Sequence, residues 1–444
     1  MTETAALLSV LRERDIKLWV EHDQLKCSAP VGALDAEIRA ALASRKDELL
    51  TLLGQSQSNS GATMSVYREE ETSPTLLPTV SRQVPMPIIP DRHERMIYFI
   101  QALRDCGYDL ASCAARLGVF PRPGVNFWNK LRSNWIARPS DPIDNLITLF
   151  IDGLPVGASL IANQISPAFV DTALEMRLVE KTGDMLTSNL CLFPGFDKYI
   201  VTDQAEKNTA INQVMFLWGE SFIHAGFVKR IPRRRGIDLG TGSGVHAILA
   251  SDHCSRVVGA DVSPRAIAFS KYNAALNGKN NVDFVLSDML DSIRGTFDLL
   301  IANPPYAPDT AAKAGDNFWS GGLDGTQLLR RVVKALPTRL DEDGVAHINC
   351  LFPNPPGTQI KDHFDFWLGG KLGDWEVLDH TWAVPRYQDL FSDAPYEGDK
   401  SAWRFGVVSL RRSKTRSGWK EVAGRGRFFR SNGSPNVIAD HDAY

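Results

Sequence analysis

Apolar and polar positions repeat with different periods along the chain, and the changes of period divide it into segments. Near the N-terminus, Leu7 and Leu11 recur at helical spacing, whereas residues 16–29 alternate in the manner of a hairpin with a His-Asp turn. Apolar positions return to helical spacing over residues 35–53. The pattern therefore predicts a small αββαα unit over residues 1–54.

Four further segments follow this unit. Residues 55–90 are rich in Ser, Thr, Gln and Pro without periodicity, which is typical of a flexible linker. Residues 91–228 are mostly helical in pattern and end in two strand-like runs, MLTSNLCLF and KYIVTD, which predicts a helical or winged-helix accessory domain. Residues 229–412 alternate apolar strands with helices, as an α/β domain does. The Gly-, Arg- and Ser-rich residues 413–444 are predicted to be a weakly ordered tail.

Length and composition restrict the class of protein. The 444 residues exceed a single core, and a content of 43% hydrophobic and 23% charged residues is ordinary for a globular protein. A net charge of -3 argues against a protein whose main task is to wrap nucleic-acid backbone. Asp171, Glu175 and Glu180 also make the second helix of the accessory domain a poor recognition helix. We therefore expect the accessory domain to serve an enzyme and not to bind nucleic acid.

Cysteine usage and hydropathy restrict the compartment. The six cysteines contain no CxxC pair and have no histidine cluster beside them, so neither a metal site nor a disulfide scaffold is predicted. No apolar run reaches about 18 residues, and the N-terminus lacks the pattern of a secretory signal. These features predict a cytoplasmic protein without a membrane span.

A strand, a glycine-rich turn and a helix follow one another in the sequence RRRGIDLGTGSGVHAILAS. Asp238 is followed by glycines at alternate positions, Gly240, Gly242 and Gly244. Glycines allow the backbone to turn sharply and to approach a ligand, and the helix that follows directs free N–H groups at that ligand. The spacing differs from both the dinucleotide motif and the P-loop, so the turn predicts a different ligand.

Acidic residues end the next two predicted strands. Asp261 lies about twenty residues after the glycine turn, where a carboxylate can accept both hydroxyls of a ribose. Asp288 ends the strand VDFVLSD, where it can accept from an exocyclic adenine amine. These positions predict a ligand with an adenosine end and a small charged group at the glycine turn.

Taken in order, DLGTGSG, GADVS and LSDML resemble the motifs of class I S-adenosylmethionine-dependent methyltransferases, over residues 212–412. The resemblance implies an α/β fold with a seven-stranded, Rossmann-like sheet, and S-adenosyl-L-methionine as cofactor. It also implies that the following residues bind the cofactor: Asp238, Gly240, Thr241, Gly242, Gly244, Asp261, Val262, Asp288, Met289 and Asn303.

The fourth predicted strand, TFDLLIA, leads directly into Asn303, Pro304, Pro305 and Tyr306. Prolines fix the backbone and remove donors, so the Pro304 carbonyl and the Asn303 side-chain oxygen remain as acceptors for the N–H groups of a planar amino or amide group. Tyr306 can stack on that group. No strong base is needed, because orienting the nitrogen lone pair and stabilising its developing charge provide most of the effect. Asn303, Pro304 and Tyr306 are therefore the predicted catalytic residues.

The NPPY sequence resembles that of amino-methyltransferases that act on glutamine amides, adenine N6 or guanine N2. The later stretch GGLDGTQLLRRVV, residues 321–333, is similar to one in the glutamine-amide branch, the release-factor glutamine methyltransferases. This resemblance implies nitrogen as the methyl acceptor.

The N-terminal unit resembles a second family. The sequence LRERDIKLWVEHDQLKCSAPVGAL and the helices after it are similar to the tubulysin-type N-terminal docking domains of nonribosomal peptide synthetases, over residues 1–54. The resemblance implies that the hairpin binds the C-terminal tail of an upstream synthetase, as an exposed strand edge can. A small domain without a partner is the alternative.

Together these features predict an enzyme that N-methylates an amino or amide nitrogen of a nonribosomal peptide intermediate. Its substrate would be a small molecule or an intermediate bound to a carrier domain, and docking would raise its effective concentration. Three alternatives stay open: N-methylation of protein glutamine or of nucleic-acid bases, O-methylation in the same pathway, and a non-catalytic adaptor.

Overall fold

The computed structural model describes the following residues: 17–21, 24–28, 36–46, 86–117, 138, 140–204, 212–217, 219–306, 320–322, 324–353, 359–383, 403–413, 415 and 417–422. The chain divides into two compact units, residues 1–81 and residues 82–444. The predicted linker lies outside the described residues except for its last five, 86–90.

The first unit contains the predicted hairpin. Strands β1 (Lys17–Glu21) and β2 (Gln24–Ser28) pair antiparallel, and helix α1 (Ala36–Ser44) follows them. The hairpin and the helix after it agree with the sequence pattern. The predicted first and third helices of this unit lie outside the described residues.

The second unit begins with two helices and a winged-helix arrangement. The helices are α2 (His93–Asp105) and α3 (Leu110–Leu117). The winged helix consists, in chain order, of α4 (Pro142–Leu146, continued by a π-helical turn over Ile147–Ile151), β3 (Val156–Gly157), α5 (Ala158–Gln164), α6 (Pro167–Glu175), β4 (Glu180–Thr182) and β5 (Met185–Thr187). Strand β5 pairs antiparallel with both β3 and β4, as the strands of a winged helix do.

The structure corrects the predicted wing, because other residues form it than those that the sequence pattern indicated. Only β5 comes from the run MLTSNLCLF, and the rest of that run forms β6 (Leu190–Gly195), which pairs with β7 (Lys198–Asp203) in a separate hairpin. Ser188 separates the two strands, since its hydroxyl donates to the Leu178 carbonyl over 2.7 Å. Because every residue of β6 is buried, the apolar run has no period that could reveal this break.

An eight-stranded sheet forms the centre of the second unit. Its strands are β8 (Arg233–Leu239), β9 (Cys254–Asp261), β10 (Val282–Leu286), β11 (Phe297–Ala302), β12 (Leu340–Pro353), β13 (Trp375–Ala383), β14 (Trp403–Arg412) and β15 (Gly418–Glu421). They lie in the order β10-β9-β8-β11-β12-β14-β13-β15, and β14 is antiparallel to its two neighbours while all other pairs are parallel. The first seven strands of this order confirm the predicted Rossmann-like sheet.

The eighth strand, β15, corrects the expectation of a weakly ordered tail. Gly418–Glu421 pair in parallel with β13, with Trp419 opposite Val377. The Trp419 ring lies 5.2 Å from the ring of Phe364, centroid to centroid. A four-residue strand is too short to show a period in a Gly- and Arg-rich segment. Its pairing with β13 and the packing of the partly buried indole stabilise it.

Five helices pack around the sheet: α7 (Gly219–Phe227), α8 (Val245–Ala250), α9 (Pro264–Leu276), α10 (Gln327–Arg339) and α11 (Ile360–Trp367). Ile223 and Phe227 of α7 pack in one apolar cluster with Leu351 of β12 and Phe405 of β14. Helix α7 is therefore a layer of the α/β domain, although the predicted boundary at residues 228 and 229 assigned it to the accessory domain. Its apolar face is what binds it to the sheet.

Two asparagines of α9 join the β6–β7 hairpin to the α/β domain. The Asn273 side chain accepts from the Val201 N–H over 2.8 Å and donates to the Val201 carbonyl over 2.9 Å. Asn277 makes the same pair of bonds with Tyr199, at 3.0 and 2.8 Å. The two side chains thus act as a neighbouring strand would.

A buried ion pair strengthens the same junction. Arg265 of α9 is 6% exposed and donates to the carboxylate of Asp203, which is fully buried at the end of β7. The same carboxylate accepts from the Val214 N–H over 2.7 Å. These bonds compensate the burial of both charges.

No helix within the described ranges is long and apolar enough to cross a membrane. Within those ranges there is also no group of three or more His, Cys, Asp or Glu side chains that could hold a metal ion. Five cysteines are present as free thiols: Cys106, Cys113, Cys191, Cys254 and Cys350.

Candidate active site

The candidate site lies where β8 and β11, which are neighbours in the sheet, both end. The chain leaves β8 toward β9 on one side and leaves β11 toward β12 on the other, so a crevice opens between the two strand ends. The glycine turn follows Leu239 and the NPPY sequence follows Ala302. A Cβ at Gly240 would lie 3.8 Å from the Asn303 carbonyl oxygen, so the two motifs are adjacent.

The glycine turn requires its glycines for two reasons. Gly240 and Gly244 have φ angles of +69° and +84°, in the left-handed region that glycine enters without strain. A Cβ at Gly244 would also lie 2.8 Å from the Cβ of Ser270 on α9. The turn therefore packs closely on α9 and leads into α8.

The Asp238 carboxylate holds this turn through hydrogen bonds. One oxygen of its carboxylate, Oδ2, accepts from the Thr241 hydroxyl over 2.6 Å and from the Ala247 N–H over 3.1 Å. The other oxygen, Oδ1, is buried and has no hydrogen-bond partner in the protein. Burial raises the pKa of Asp238 to about 7 despite these two bonds.

Asp261 meets the turn from the end of β9. Its carboxylate accepts from the Gly242 N–H and from the Ser263 N–H, each over 2.9 Å. Burial of the carboxylate raises its pKa. The next residue, Val262, leaves 59% of its surface exposed. The structure thus brings together the predicted residues of the turn and of the second strand end.

Asp288 and Met289 lie one strand further out, just after the end of β10, as the sequence predicts. The Asp288 carboxylate is exposed and accepts from the Arg331 guanidinium of α10 over 2.8 Å. Met289 has a φ of +50° and packs against the apolar cluster beneath β11 and α10. The structure does not bring the Asp288 carboxylate into contact with the glycine turn.

The NPPY sequence continues directly from β11. The Oδ1 atom of Asn303 accepts from Nδ2 of Asn349 over 2.8 Å. Pro304 is buried. A Cβ at Gly321 would lie 2.8 Å from the Pro305 carbonyl oxygen, so the start of the GGLDG stretch packs against the motif.

Tyr306 is 9% exposed and packs among apolar side chains. Its ring meets that of Phe405 edge-on, with 6.0 Å between centroids. Its hydroxyl donates to the carboxylate of Glu220, on the first turn of α7.

Two family models match this chain, one in each of its two compact units. Residues 5–55 match the family model of the TubC N-terminal docking domain, and residues 220–321 match that of the methyltransferase small domain. Both resemblances predicted from the sequence are confirmed. The chain joins a docking domain to a methyltransferase domain.

Individual relatives match part of this chain. The release factor glutamine methyltransferase of Mycolicibacterium smegmatis is 32% identical over 180 residues, which are 38% of this chain and 63% of the relative. The ribosomal protein uL3 glutamine methyltransferase of Xanthomonas campestris is 32% identical over 171 residues, 35% of this chain and 56% of the relative. The chain thus spans 56% and 63% of the length of these two curated relatives.

Solved structures match the chain at low identity and with low TM-scores. The crystal structure of M. jannaschii TYW2 in complex with AdoMet is 15% identical, with a TM-score of 0.35, and the match covers 53% of this chain and 94% of that one. The fold assignment for the methyltransferase domain comes from its own strand order.

The crevice of the methyltransferase domain fits an adenosine-bearing cofactor. Asp238 presents a buried carboxylate oxygen without a partner, and Asp261 presents a half-buried carboxylate beside the glycine turn. Val262 and Leu286, at the ends of β9 and β10, expose 59% and 41% of their surface, which suits the face of an aromatic base. The chemistry of these groups matches the ribose, base and charged end that the sequence predicts.

Sequence reasoning missed two residues of the methyltransferase domain that contact the NPPY segment, Asn349 at Asn303 and Glu220 at Tyr306. Glu220 stands in the otherwise mostly apolar helix GESFIHAGF, and Asn349 stands in the buried strand segment AHINCL. A single carboxylate or amide within an apolar run is the signal that could have identified them, because a buried polar group needs a partner.

Proposed function

We propose that this protein is an S-adenosylmethionine-dependent N-methyltransferase that methylates an amino or amide nitrogen of a nonribosomal peptide intermediate. The observation that carries the proposal is the Asn303–Tyr306 segment beside the glycine turn, with the Asn303 amide oxygen bonded to Asn349 and the Tyr306 hydroxyl bonded to Glu220. An N-terminal docking domain on the same chain supports the pathway. Five free thiols support a cytoplasmic location as part of the same proposal.

The methyl donor is S-adenosylmethionine, which supplies an electrophilic methyl group when bound. Asp261 would hold the ribose, the turn from Gly240 to Gly244 the methionine end, and Val262 one face of the base. Asp238 would act through the shape of the turn and through its unpartnered oxygen. Met289 and Asp288 remain candidates for the adenine end, and Asp288 would first have to leave Arg331.

The acceptor nitrogen would be held by two oxygens of the chain. Oδ1 of Asn303 and the carbonyl of Pro304 accept its N–H groups, which orients the lone pair and leaves no freedom to rotate away. The same oxygens stabilise positive charge as it develops on nitrogen. Tyr306 contributes the flat apolar wall of this position.

The curated relatives favour a second candidate function. Their names give glutamine residues of a release factor and of ribosomal protein uL3 as substrates, so this chain would methylate a protein glutamine amide. The nitrogen chemistry of the site is the same in both cases. O-methylation and a non-catalytic adaptor have no observation of this kind in their favour, although they would give distinct results below.

The test is a calorimetric titration of the full chain with S-adenosylmethionine and, separately, with a peptide copying the C-terminal tail of a neighbouring synthetase. Transfer of a labelled methyl group is then measured to N-acetylglutaminamide, phenylalaninamide and serinamide with a blocked amine. We expect one cofactor per chain, peptide binding at a separate site, and label on nitrogen only. Absence of cofactor binding contradicts the proposal, cofactor binding without any transfer favours the adaptor, and label on the hydroxyl favours O-methylation.

Deleting residues 1–54 separates docking from catalysis, since residues 1–81 form a compact unit of their own. We expect the shortened chain to methylate a small free substrate at an unchanged rate and to act more slowly on an intermediate carried by the synthetase, because tethering raises effective concentration. Equal loss on both substrates, or no loss on either, would show that the docking proposal is wrong.

A further inference from the structure

Strand β10 forms one edge of the eight-stranded sheet and pairs with β9 on its inner side. The Ser287 N–H, just after β10, donates to the Asp261 carbonyl of β9 over 2.9 Å. In a parallel pair, every second residue directs its backbone groups at the same neighbour. Val282 and Phe284 therefore direct their N–H and C=O groups away from β9. Within the described ranges no strand pairs with this outer side, which we call the β10 edge.

The connection from β10 to β11, residues 287–296, consists of turns without a helix. The connections on either side of it contain helices, since α9 leads into β10 and α10 leads into β12. A crossover helix normally covers one face of a parallel sheet. In the described part of the chain, Arg256 of β9 and Asp283 of β10 accordingly leave 69% and 51% of their side chains exposed.

A groove of about 830 Å³ is lined by four consecutive residues of β10, by α9 and by parts of β8 and β9. One of its lining side chains, Asp283, is acidic, and four are cationic: Arg235, Arg256, Lys271 and Lys279. Lys271 is exposed and has no ion pair within the described residues. The groove is thus positively charged, although the chain as a whole has a net charge of -3.

These cations lie on both faces of β10. Arg256 pairs with Asp283 over 2.6 Å, which places it on the face of that residue. Helix α9, which carries Lys271, packs on the opposite face, where Phe284 and Tyr272 share one apolar cluster. Side chains of a strand alternate between the two faces of a sheet. A strand added at the β10 edge would therefore meet a cation on either face.

We propose that the β10 edge binds an extended, acidic segment of a partner protein, which joins the sheet as a further strand. The outward backbone groups of Val282 and Phe284 hold its main chain, as in other cases of strand addition. The cations of the groove select Asp and Glu side chains and exclude basic ones. The inference does not depend on the methyl-transfer reaction.

The charge of the groove also argues against a second copy of this chain as the occupant. Two β10 edges placed side by side would bring Arg256 and Lys271 of one copy near the same cations of the other. Like charges on neighbouring strands destabilise their pairing, and basic side chains are one means by which edge strands avoid pairing with each other. An acidic partner has the opposite effect.

The test titrates the full chain with a rhodamine-labelled acidic peptide, EVTVEVE, and follows fluorescence anisotropy. Two matched peptides are KVTVKVK and an EVTVEVE that is N-methylated at two adjacent central residues, which blocks both of its edges. We expect saturable binding of the unmodified acidic peptide alone, weaker at high ionic strength. Failure of this peptide to bind, or equal binding of either matched peptide, overturns the proposal.

A charge reversal then locates the binding site. Lys271→Glu should weaken binding by about 5-fold or more, because an attraction becomes a repulsion of similar size. The matched control is Lys361→Glu on α11, since Lys361 is also exposed and has no ion pair among the described residues. This control should bind as wild type does. Equal affinities of the two variants would contradict the assignment to the β10 edge.

Amide hydrogen exchange followed by NMR distinguishes strand addition from attraction by charge alone. The N–H groups of Val282 and Phe284 should exchange fast in the free chain and become protected by the acidic peptide. Those of Asp283 and Val285 face β9 and should be protected throughout. Binding without new protection at Val282 and Phe284 overturns the proposal. So does a free chain that sediments as a dimer with these two groups already protected, because a second copy would then occupy the edge.

Discussion

Replacing Asn303 by alanine should lower kcat by roughly 100-fold or more and leave the Kd for S-adenosylmethionine within a few-fold. The substitution removes the Oδ1 acceptor that stabilises developing charge on the substrate nitrogen, and it leaves the glycine turn and Asp261 intact. Steady-state kinetics on N-acetylglutaminamide and calorimetry with the cofactor measure the two quantities.

Replacing a second asparagine, Asn281, separates the effect on catalysis from the effect on stability in that experiment. Asn303→Ala leaves Nδ2 of Asn349 without its partner, which costs about 1–3 kcal/mol of stability. Asn281→Ala removes two comparable bonds, to the carbonyls of Ser251 and Cys254 at 2.9 and 3.0 Å, away from the crevice. Its kcat should stay at the wild-type value. An Asn303→Ala protein that folds and turns over normally would contradict the acceptor geometry.

Replacing Asp203 by alanine should lower the free energy of unfolding of the second unit by about 3–5 kcal/mol. The change leaves the Arg265 guanidinium buried without its carboxylate and the Val214 N–H without its acceptor. Urea unfolding followed by tryptophan fluorescence measures the loss.

An exposed ion pair provides the matched control for that measurement. Asp283 pairs with Arg256 over 2.6 Å, but the two side chains are 51% and 69% exposed. Asp283→Ala should therefore change the free energy of unfolding by less than about 1 kcal/mol. Equal losses in the two variants would show that the buried pair does not stabilise the junction.

Local signals explain the parts of the site that the sequence predicts. Gly240, Asp261 and Asn303 each follow an apolar strand, and the carboxyl ends of parallel strands meet at one edge of the sheet. The positions of these residues relative to one another thus follow from three strand–loop units and one topological rule. The Rossmann-like sheet itself is what the resemblance to class I methyltransferases implies, and the strand order agrees with it.

Long-range pairings explain what the sequence does not predict. Asn349 contacts Asn303 from 46 residues away, Glu220 contacts Tyr306 from 86 residues away, and no periodicity connects these pairs. The Asp288 carboxylate follows a strand as expected, yet it pairs with Arg331 on a later helix. Strand β15 forms only because an exposed edge of β13 is present to pair with it.

The bonds from two asparagines of α9 to the β6–β7 hairpin matter for the design of chimeric proteins. Asn273 and Asn277 replace a strand partner for the hairpin, and Asn273 also donates to the Ser243 carbonyl in the glycine turn over 2.8 Å. A chimera joined at residue 228 would carry a β6–β7 hairpin from another protein. The backbone of that hairpin would have to bond to Asn273 and Asn277 on α9 of the recipient. A cut between residues 81 and 82, where one compact unit ends and the next begins, would leave these bonds intact.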